Sequence, residues 1–313
     1  MLKNLFEIFG TQNFPYRKIF LTYTFLFRHE GQSPCAQEGE AFFGKKKRAE
    51  EMKVGFIQMN PQFLDKEGNV NRALGLLDKS EAELMVLPEL FSTGYNFSNV
   101  NELRFMAEDI PMGYTTQKLI EISLQKSMCI IAGIAEKYHG ALFNSAVIVN
   151  GHRVGVYRKI HLFMNEKQLF TQGNKFTVFQ VNGINIGIMT CFDWYFPESV
   201  RTLMLRGADI IAHPSNLILP YCPDAMKLRS LENGVFTITA NRIGDEKGLH
   251  FIGMSQITDN KGNILYRASS DSEEVKILDI DPVAARDKNF TPINNILADR
   301  KEDCYVSSID IKK

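Results

Sequence analysis

Apolar and polar positions along this chain follow two periods. From Met52 onward, short apolar runs rich in Val, Ile and Phe alternate with longer stretches in which apolar residues recur at helical spacing. The short runs predict strands over Val54–Met59, Leu84–Leu87, Cys129–Ala135, Ser145–Val149, Val154–Tyr157, Val178–Val181, Ile184–Thr190, Ile210–His213, Phe236–Ala240, Ser255–Thr258 and Val275–Ile280. The longer spacing predicts helices over Asn69–Lys79, Thr115–Lys126, Pro197–Arg206 and Asp224–Asn233. The third of these carries Pro197 in its first turn with Glu198 beside it, and it stops at Gly207, as helix-end chemistry requires. No fixed-period repeat and no low-complexity linker interrupts residues 52–313. They therefore read as one α/β domain of many strands with two or more layers of helices.

Residues 1–51 break this pattern. They hold 8 of the 23 Phe, carry a net charge of +2, and end in the run Lys45-Lys46-Lys47-Arg48-Ala49-Glu50-Glu51. Met52-Lys53 followed at once by a buried first strand reads as an opening in its own right. Residues 1–51 are accordingly expected to lie outside the fold as an over-extended start, with a targeting peptide or a docking arm as the alternatives. A chain beginning at Met52 is expected to fold and act by itself.

Composition narrows the function classes. The 36 basic and 36 acidic residues balance, so no polyanion is courted, and the basic run lacks the interleaved aromatics of a nucleic-acid surface. The apolar run from Ile19 to Phe27 is about half of the ~20 residues that a membrane span needs, and no small-x-small cleavage site follows it. Five cysteines, Cys35, Cys129, Cys191, Cys222 and Cys304, form no C-x-x-C pair and are odd in number. That argues against a disulfide framework or a structural zinc site and fits a reducing cytoplasm. The six histidines show no H-x-x-x-H or H-E-x-x-H spacing, so no metal is predicted.

Chemistry gathers where strands stop. The buried strand Leu84-Met85-Val86-Leu87 runs straight into Pro88-Glu89, which brings a carboxylate out among apolar neighbours at a strand's carboxyl end, where open α/β sheets build their sites. Val154-Gly155-Val156-Tyr157-Arg158-Lys159 delivers a lysine in the same way. The strand from Ile184 to Thr190 ends at Cys191, and Phe192-Asp193-Trp194-Tyr195-Phe196-Pro197-Glu198 then opens a helix, forming an elbow with a thiol at its tip. Each residue alone has a plain explanation: a core thiol, a solvated turn carboxylate, a surface lysine. Together they supply what a cysteine nucleophile needs, namely a base, a cation and oxyanion donors.

Leu87-Pro88-Glu89, Tyr157-Arg158-Lys159-Ile160-His161-Leu162 and Cys191-Phe192-Asp193 with Pro197-Glu198 resemble, in order and with separations of 70 and 32 residues, the three signature blocks of the nitrilase superfamily of carbon–nitrogen hydrolases. The resemblance runs from Met52 to about Tyr305. Within the superfamily, Ile211-Ala212-His213-Pro214-Ser215-Asn216-Leu217 is most similar to archaeal and bacterial nitrilase or aliphatic amidase members. It implies a four-layer α-β-β-α sandwich, which the strand count permits. It also implies that Cys191 attacks the carbon of a small amide or nitrile, that Glu89 moves the proton, and that Lys159 and the backbone N–H of Phe192 at the start of the following helix stabilise the tetrahedral intermediate. Glu166 matches the superfamily's second glutamate, expected to hold Lys159 and position the substrate nitrogen.

Further residues enter by neighbourhood. Tyr95, Phe192, Trp194 and Asn216 are expected at the substrate, whereas Asp193 and Glu198 are expected to orient the elbow and cap the helix after it. His161 and His213 are expected to be structural; pairing either with Cys191 in a papain-like arrangement is a rival that leaves Glu89 and Lys159 without a role. No cofactor is implied. A homodimer or larger homo-oligomer is implied, with the segment after Val275 reaching toward the partner. A family member acting only as an interaction module is the alternative, and retention of Glu89, Lys159, Cys191 and Glu166 disfavours it.

Overall fold

The computed structural model describes residues 51–305. Apart from Glu51, the leader expected over residues 1–51 lies outside the described residues. The first half of the described chain runs β1 (Met52–Gln58), α1 (Lys66–Asp78), β2 (Leu84–Val86), α2 (Val100–Met106), α3 (Tyr114–Lys126), β3 (Cys129–Tyr138), β4 (Ala141–Asn150), β5 (Arg153–Arg158) and α4 (Glu166–Leu169). The second half runs β6 (Thr177–Val181), β7 (Ile184–Ile188), a 3₁₀ turn (Cys191–Tyr195), α5 (Pro197–Leu205), β8 (Ile210–Pro214), α6 (Cys222–Asn233), β9 (Phe236–Ala240), β10 (Ile243–Glu246), β11 (Leu249–Ile252), β12 (Gln256–Thr258), β13 (Ile264–Arg267) and β14 (Glu274–Ile280).

Two six-stranded sheets result, ordered β14-β1-β2-β3-β4-β5 and β13-β12-β9-β8-β7-β6. Each has a parallel centre, β1-β2-β3 in one and β7-β8-β9 in the other, flanked by antiparallel strands. Side chains one residue apart on a strand point to opposite faces. In the first sheet Val54, Phe56, Leu84, Val86 and Ile131 therefore meet Ile186, Ile188, Ile210 and Ile238 of the second in one apolar cluster. The alternate positions Ile57, Met85, Ile130 and Val147 turn outward onto Val70 and Leu77 of α1 and Leu119 of α3. On the far side, Val200 and Leu203 of α5 and Met226 of α6 close over the second sheet. The order is helix, sheet, sheet, helix, so the four-layer α-β-β-α sandwich is the architecture. Most of these side chains are fully buried, and each contributes roughly 1.5–3 kcal/mol of apolar transfer.

Every predicted strand and helix is present, most with shifted ends and β9 with the ends predicted. β3 and β4 are longer than the apolar pattern indicated, because Glu136, Lys137 and Tyr138 continue the pairing to a tight turn at His139 (φ +48°) and Gly140 (φ +82°). The short α2 and α4, the β10–β11 hairpin and β13 had no apolar run long enough to announce them. Strand β7 stops at Ile188, and the 3₁₀ turn stands between it and α5, so Phe192 lies in the first part of that turn and not at the start of the helix.

Strand direction fixes where the chemistry can sit. β2 and β3 run parallel, and two antiparallel steps through β4 bring β5 back to the direction of β3. Glu89 and Lys159 consequently leave the sheet at the same end. Cys191 and Asn216 follow the carboxyl ends of the parallel pair β7 and β8 in the second sheet.

Candidate active site

Glu89, Lys159 and Glu166 form one buried charge cluster. Lys159 Nζ donates to Glu89 Oε1 at 2.8 Å and to Glu166 Oε1 at 2.8 Å, and the three side chains are 0 to 4% exposed. Asn144 of β4 donates to the same Glu89 oxygen at 2.6 Å, and its backbone carbonyl accepts from Lys159 N at 2.8 Å. Asn144 thus ties the Glu89 carboxylate to the strand end that carries Lys159. Glu89 Oε2 is buried and has no partner among the described residues. A lone carboxylate oxygen without a donor is costly to bury. It is also free to take a proton.

Burial sets the ionisation of this cluster. Desolvation pushes the Glu89 carboxyl above the usual carboxylate range, against the opposing pull of Lys159. Burial also pushes the Cys191 thiol well up, and the negative charge of Glu89 adds to it, so the thiol is neutral at rest. For Lys159 burial acts to lower the pKa, but the carboxylates of Glu166 and Glu89 outweigh it and hold the ammonium above the ordinary lysine range. An ammonium has three N–H donors. Two are taken by the glutamates, which leaves one.

The loops bearing these groups are strained. Cys191 has φ +41° and Leu90, next to Glu89, has φ +50°, both in the left-handed region that non-glycine residues rarely enter. What holds Cys191 there is visible. Asp193 accepts from Thr190 N at 2.8 Å and from the Tyr157 hydroxyl at 2.6 Å with one oxygen, and from His161 N and Nδ1 at 3.0 and 2.7 Å with the other. The expected orienting role of Asp193 is present, but it caps the 3₁₀ turn, and it reaches residues on both sides of Lys159. His161 stacks on Phe196 with ring centroids 3.7 Å apart. Glu198 stands exposed in the first turn of α5 and bonds none of the site groups.

His213 lies beneath the elbow. Its Nε2 is 2.9 Å from the Cys191 carbonyl, which can only accept, so Nε2 carries the proton, and Nδ1 faces the Thr239 hydroxyl at 3.1 Å. Burial depresses its pKa to about 4. A neutral imidazole engaged through the backbone carbonyl is not placed as a base for Cys191 Sγ, and His161 is taken up by Asp193. The papain-like rival has no geometry here.

Cys191 Sγ lies 3.7 Å from the Asn216 carbonyl, and Asn216 Nδ2 donates to the Glu89 carbonyl at 2.9 Å, which bridges the two sheets at the site. Cys191, Phe192, Trp194 and Asn216 line one cavity of about 260 Å³. Tyr95 is elsewhere: its hydroxyl donates to Glu166 Oε1 at 2.7 Å, and it lines a smaller cavity of about 110 Å³ with Glu166. Tyr95 therefore backs Glu166. Glu246 in turn accepts from the backbone N–H of Tyr95 at 2.8 Å and is paired with the buried Arg242 at 2.6 Å.

Sequence reading missed Asn144, Gly133 and Glu246. Asn144 is a solitary amide in the apolar strand Leu142-Phe143-Asn144-Ser145-Ala146, and a buried amide needs partners. Gly133 sits inside β3, where a side-chain carbon would overlap the backbone of Glu89. Glu246 gave no signal, since its hairpin was not foreseen. Among the described residues, no group of three or more His, Cys, Asp or Glu side chains is placed to share a metal ion, and no helix is long and apolar enough to cross a membrane.

Comparison with known proteins adds an independent line. The carbon-nitrogen hydrolase family model matches residues 53–289. A Pyrococcus abyssi protein called nitrilase is 48% identical over 259 residues, covering 81% of this chain and 99% of its own length. A Pseudomonas (R)-stereoselective amidase is 30% identical over 247 residues, covering 76% of this chain and 89% of its own. The crystal structure of a carbon-nitrogen hydrolase from Helicobacter pylori superposes with a TM-score of 0.74 at 24% identity, over 82% of this chain and 97% of that one, which bears on the fold.

Proposed function

The chain belongs to the carbon-nitrogen hydrolase family, in its nitrilase and amidase circle, and on that premise we propose that it hydrolyses a small amide or nitrile through a thioester on Cys191. The observation that carries this reading is the buried Glu89–Lys159–Glu166 cluster beside a neutral thiol, with one Glu89 oxygen left free. Glu89 takes the Cys191 proton as sulfur attacks the substrate carbon. Its raised pKa makes it a stronger base than an ordinary carboxylate. Negative charge developing on the substrate oxygen, or on nitrogen in a nitrile, meets the third N–H of Lys159 and the backbone N–H of Phe192. The first N–H groups of a helical turn have no partner inside it, so Phe192 supplies a donor without help from α5.

With an amide, Glu89 returns the proton to the departing nitrogen and ammonia leaves. Water, deprotonated by Glu89, then releases the carboxylic acid and restores the thiol. With a nitrile the thiol adds across the triple bond, one water gives the tetrahedral adduct from which ammonia leaves, and a second water frees the acid. The exposed apolar residues Leu205 on α5 and Leu228 and Leu231 on α6 support a homodimer or larger homo-oligomer. The deciding assay is ammonia release from a panel of small amides and nitriles. Wild type is expected to be active and Cys191→Ala inactive; equal rates would overturn the reading.

A further inference from the structure

We propose that the part of the substrate carried by the reacting carbon is an uncharged, apolar group no larger than about one aromatic ring with a short chain, seated in the cavity beside Cys191. This deepens the reading of Cys191 as nucleophile and rests on it. The cavity measures about 260 Å³. That is below the roughly 300–1,000 Å³ of sites for drug-sized ligands and above the roughly 150 Å³ that admits benzene. Its walls are aromatic rings and branched aliphatics, Phe163, Phe192, Trp194 and Tyr221 with Leu217 and Leu219, and the polar groups of its side chains are all uncharged: the Cys191 thiol, the Asn216 amide, the Trp194 indole N–H and the tyrosine hydroxyls.

Charge is missing from this lining. Among the described residues, no Lys, Arg, His, Asp or Glu faces the cavity. A carboxylate or ammonium on the substrate would lose its water there and find no counter-ion. Lys159 does not serve, because its ammonium is already paired with Glu89 and Glu166 at 2.8 Å each and it does not line the cavity. Of the cationic or titratable groups close by, Lys167 and His161 line a neighbouring cavity that shares only Phe192 with this one, and Arg229 is held behind the Trp194 carbonyl at 3.3 Å and paired with Glu232. Selection by such a pocket works through rejection: apolar groups of different shape are separated weakly, and charged ones strongly.

The test measures kcat/KM for ammonia release by the full chain on butanamide and phenylacetamide against succinamate and β-alaninamide, each also as its nitrile counterpart. Uncharged members are expected to exceed charged ones by at least about 100-fold. Leu219→Arg places a cation at the rim, where Leu219 is 45% exposed. It is expected to lower turnover of phenylacetamide or its nitrile and to raise that of the carboxylate-bearing members, closing the gap by tenfold or more. Comparable turnover of charged and uncharged members, or an unchanged ratio in Leu219→Arg, would overturn the assignment while leaving Cys191 as nucleophile. Absence of Cys191-dependent ammonia release from every member would overturn the nucleophile assignment and the substrate class together.

Discussion

Cys191, Glu89 and Lys159 owe their protonation to burial and to one another, and pH separates their roles. In the proposed mechanism Glu89 must be a carboxylate before it takes the thiol proton, so kcat/KM is expected to fall as pH drops through the Glu89 pKa. Burial raises that pKa, which places the acid limb above the ordinary 4.5. A pH profile whose acid limb lies at or below that value would contradict the role of Glu89. The same cluster matters for stability in an asymmetric way. Lys159→Ala strands two buried carboxylates and is expected to cost roughly 3–5 kcal/mol of unfolding free energy in urea. Cys191→Ala removes only a small buried side chain and is expected to leave that free energy far closer to wild type while abolishing turnover.

Strands and turns hold these side chains, and some of that support was legible in the sequence. Apolar runs marked the central strands, because a strand buried on both faces is continuously apolar. Glu89, Lys159 and Cys191 stood out because each comes two residues after the last apolar residue of a predicted strand. Partners across the sheet were not legible: Asn144 meets Glu89 only through the pairing of β4, and Glu246 reaches Tyr95 only through a hairpin whose four-residue strands, Ile-Gly-Asp-Glu and Leu-His-Phe-Ile, are broken by Gly, Asp, Glu and His. Gly133 carries the sharpest consequence at this scale. A Cβ there overlaps the Glu89 backbone, so Gly133→Ala must displace β3 or the Glu89 loop. It is expected to lower kcat/KM by more than tenfold and to destabilise by about 1–3 kcal/mol, read by kinetics and urea unfolding together. Wild-type kinetics in a folded Gly133→Ala would contradict the close approach.

Across the molecule, two sheets packed face to face bury the charge cluster, and His213, on β8, lies buried beneath the elbow. It is neutral in the fold, with a pKa of about 4 against an ordinary 6.5. The unfolded chain therefore binds more protons between those values, and stability present above about pH 6.5 is lost as pH falls toward 4, by about 3 kcal/mol in full. His213→Gln keeps a donor for the Cys191 carbonyl without titrating there, and its unfolding free energy is expected to fall less between pH 7 and pH 4.5; an equal fall would contradict the buried neutral state. The central claim is the covalent thioester, and the mass of the intact chain, acid-quenched during turnover, tests it most directly. Wild type is expected to gain the mass of the acyl group, localised by peptide mapping to Cys191, and Cys191→Ala is expected to gain none; turnover with the added mass on another residue, or with undiminished rate in Cys191→Ala, would contradict it.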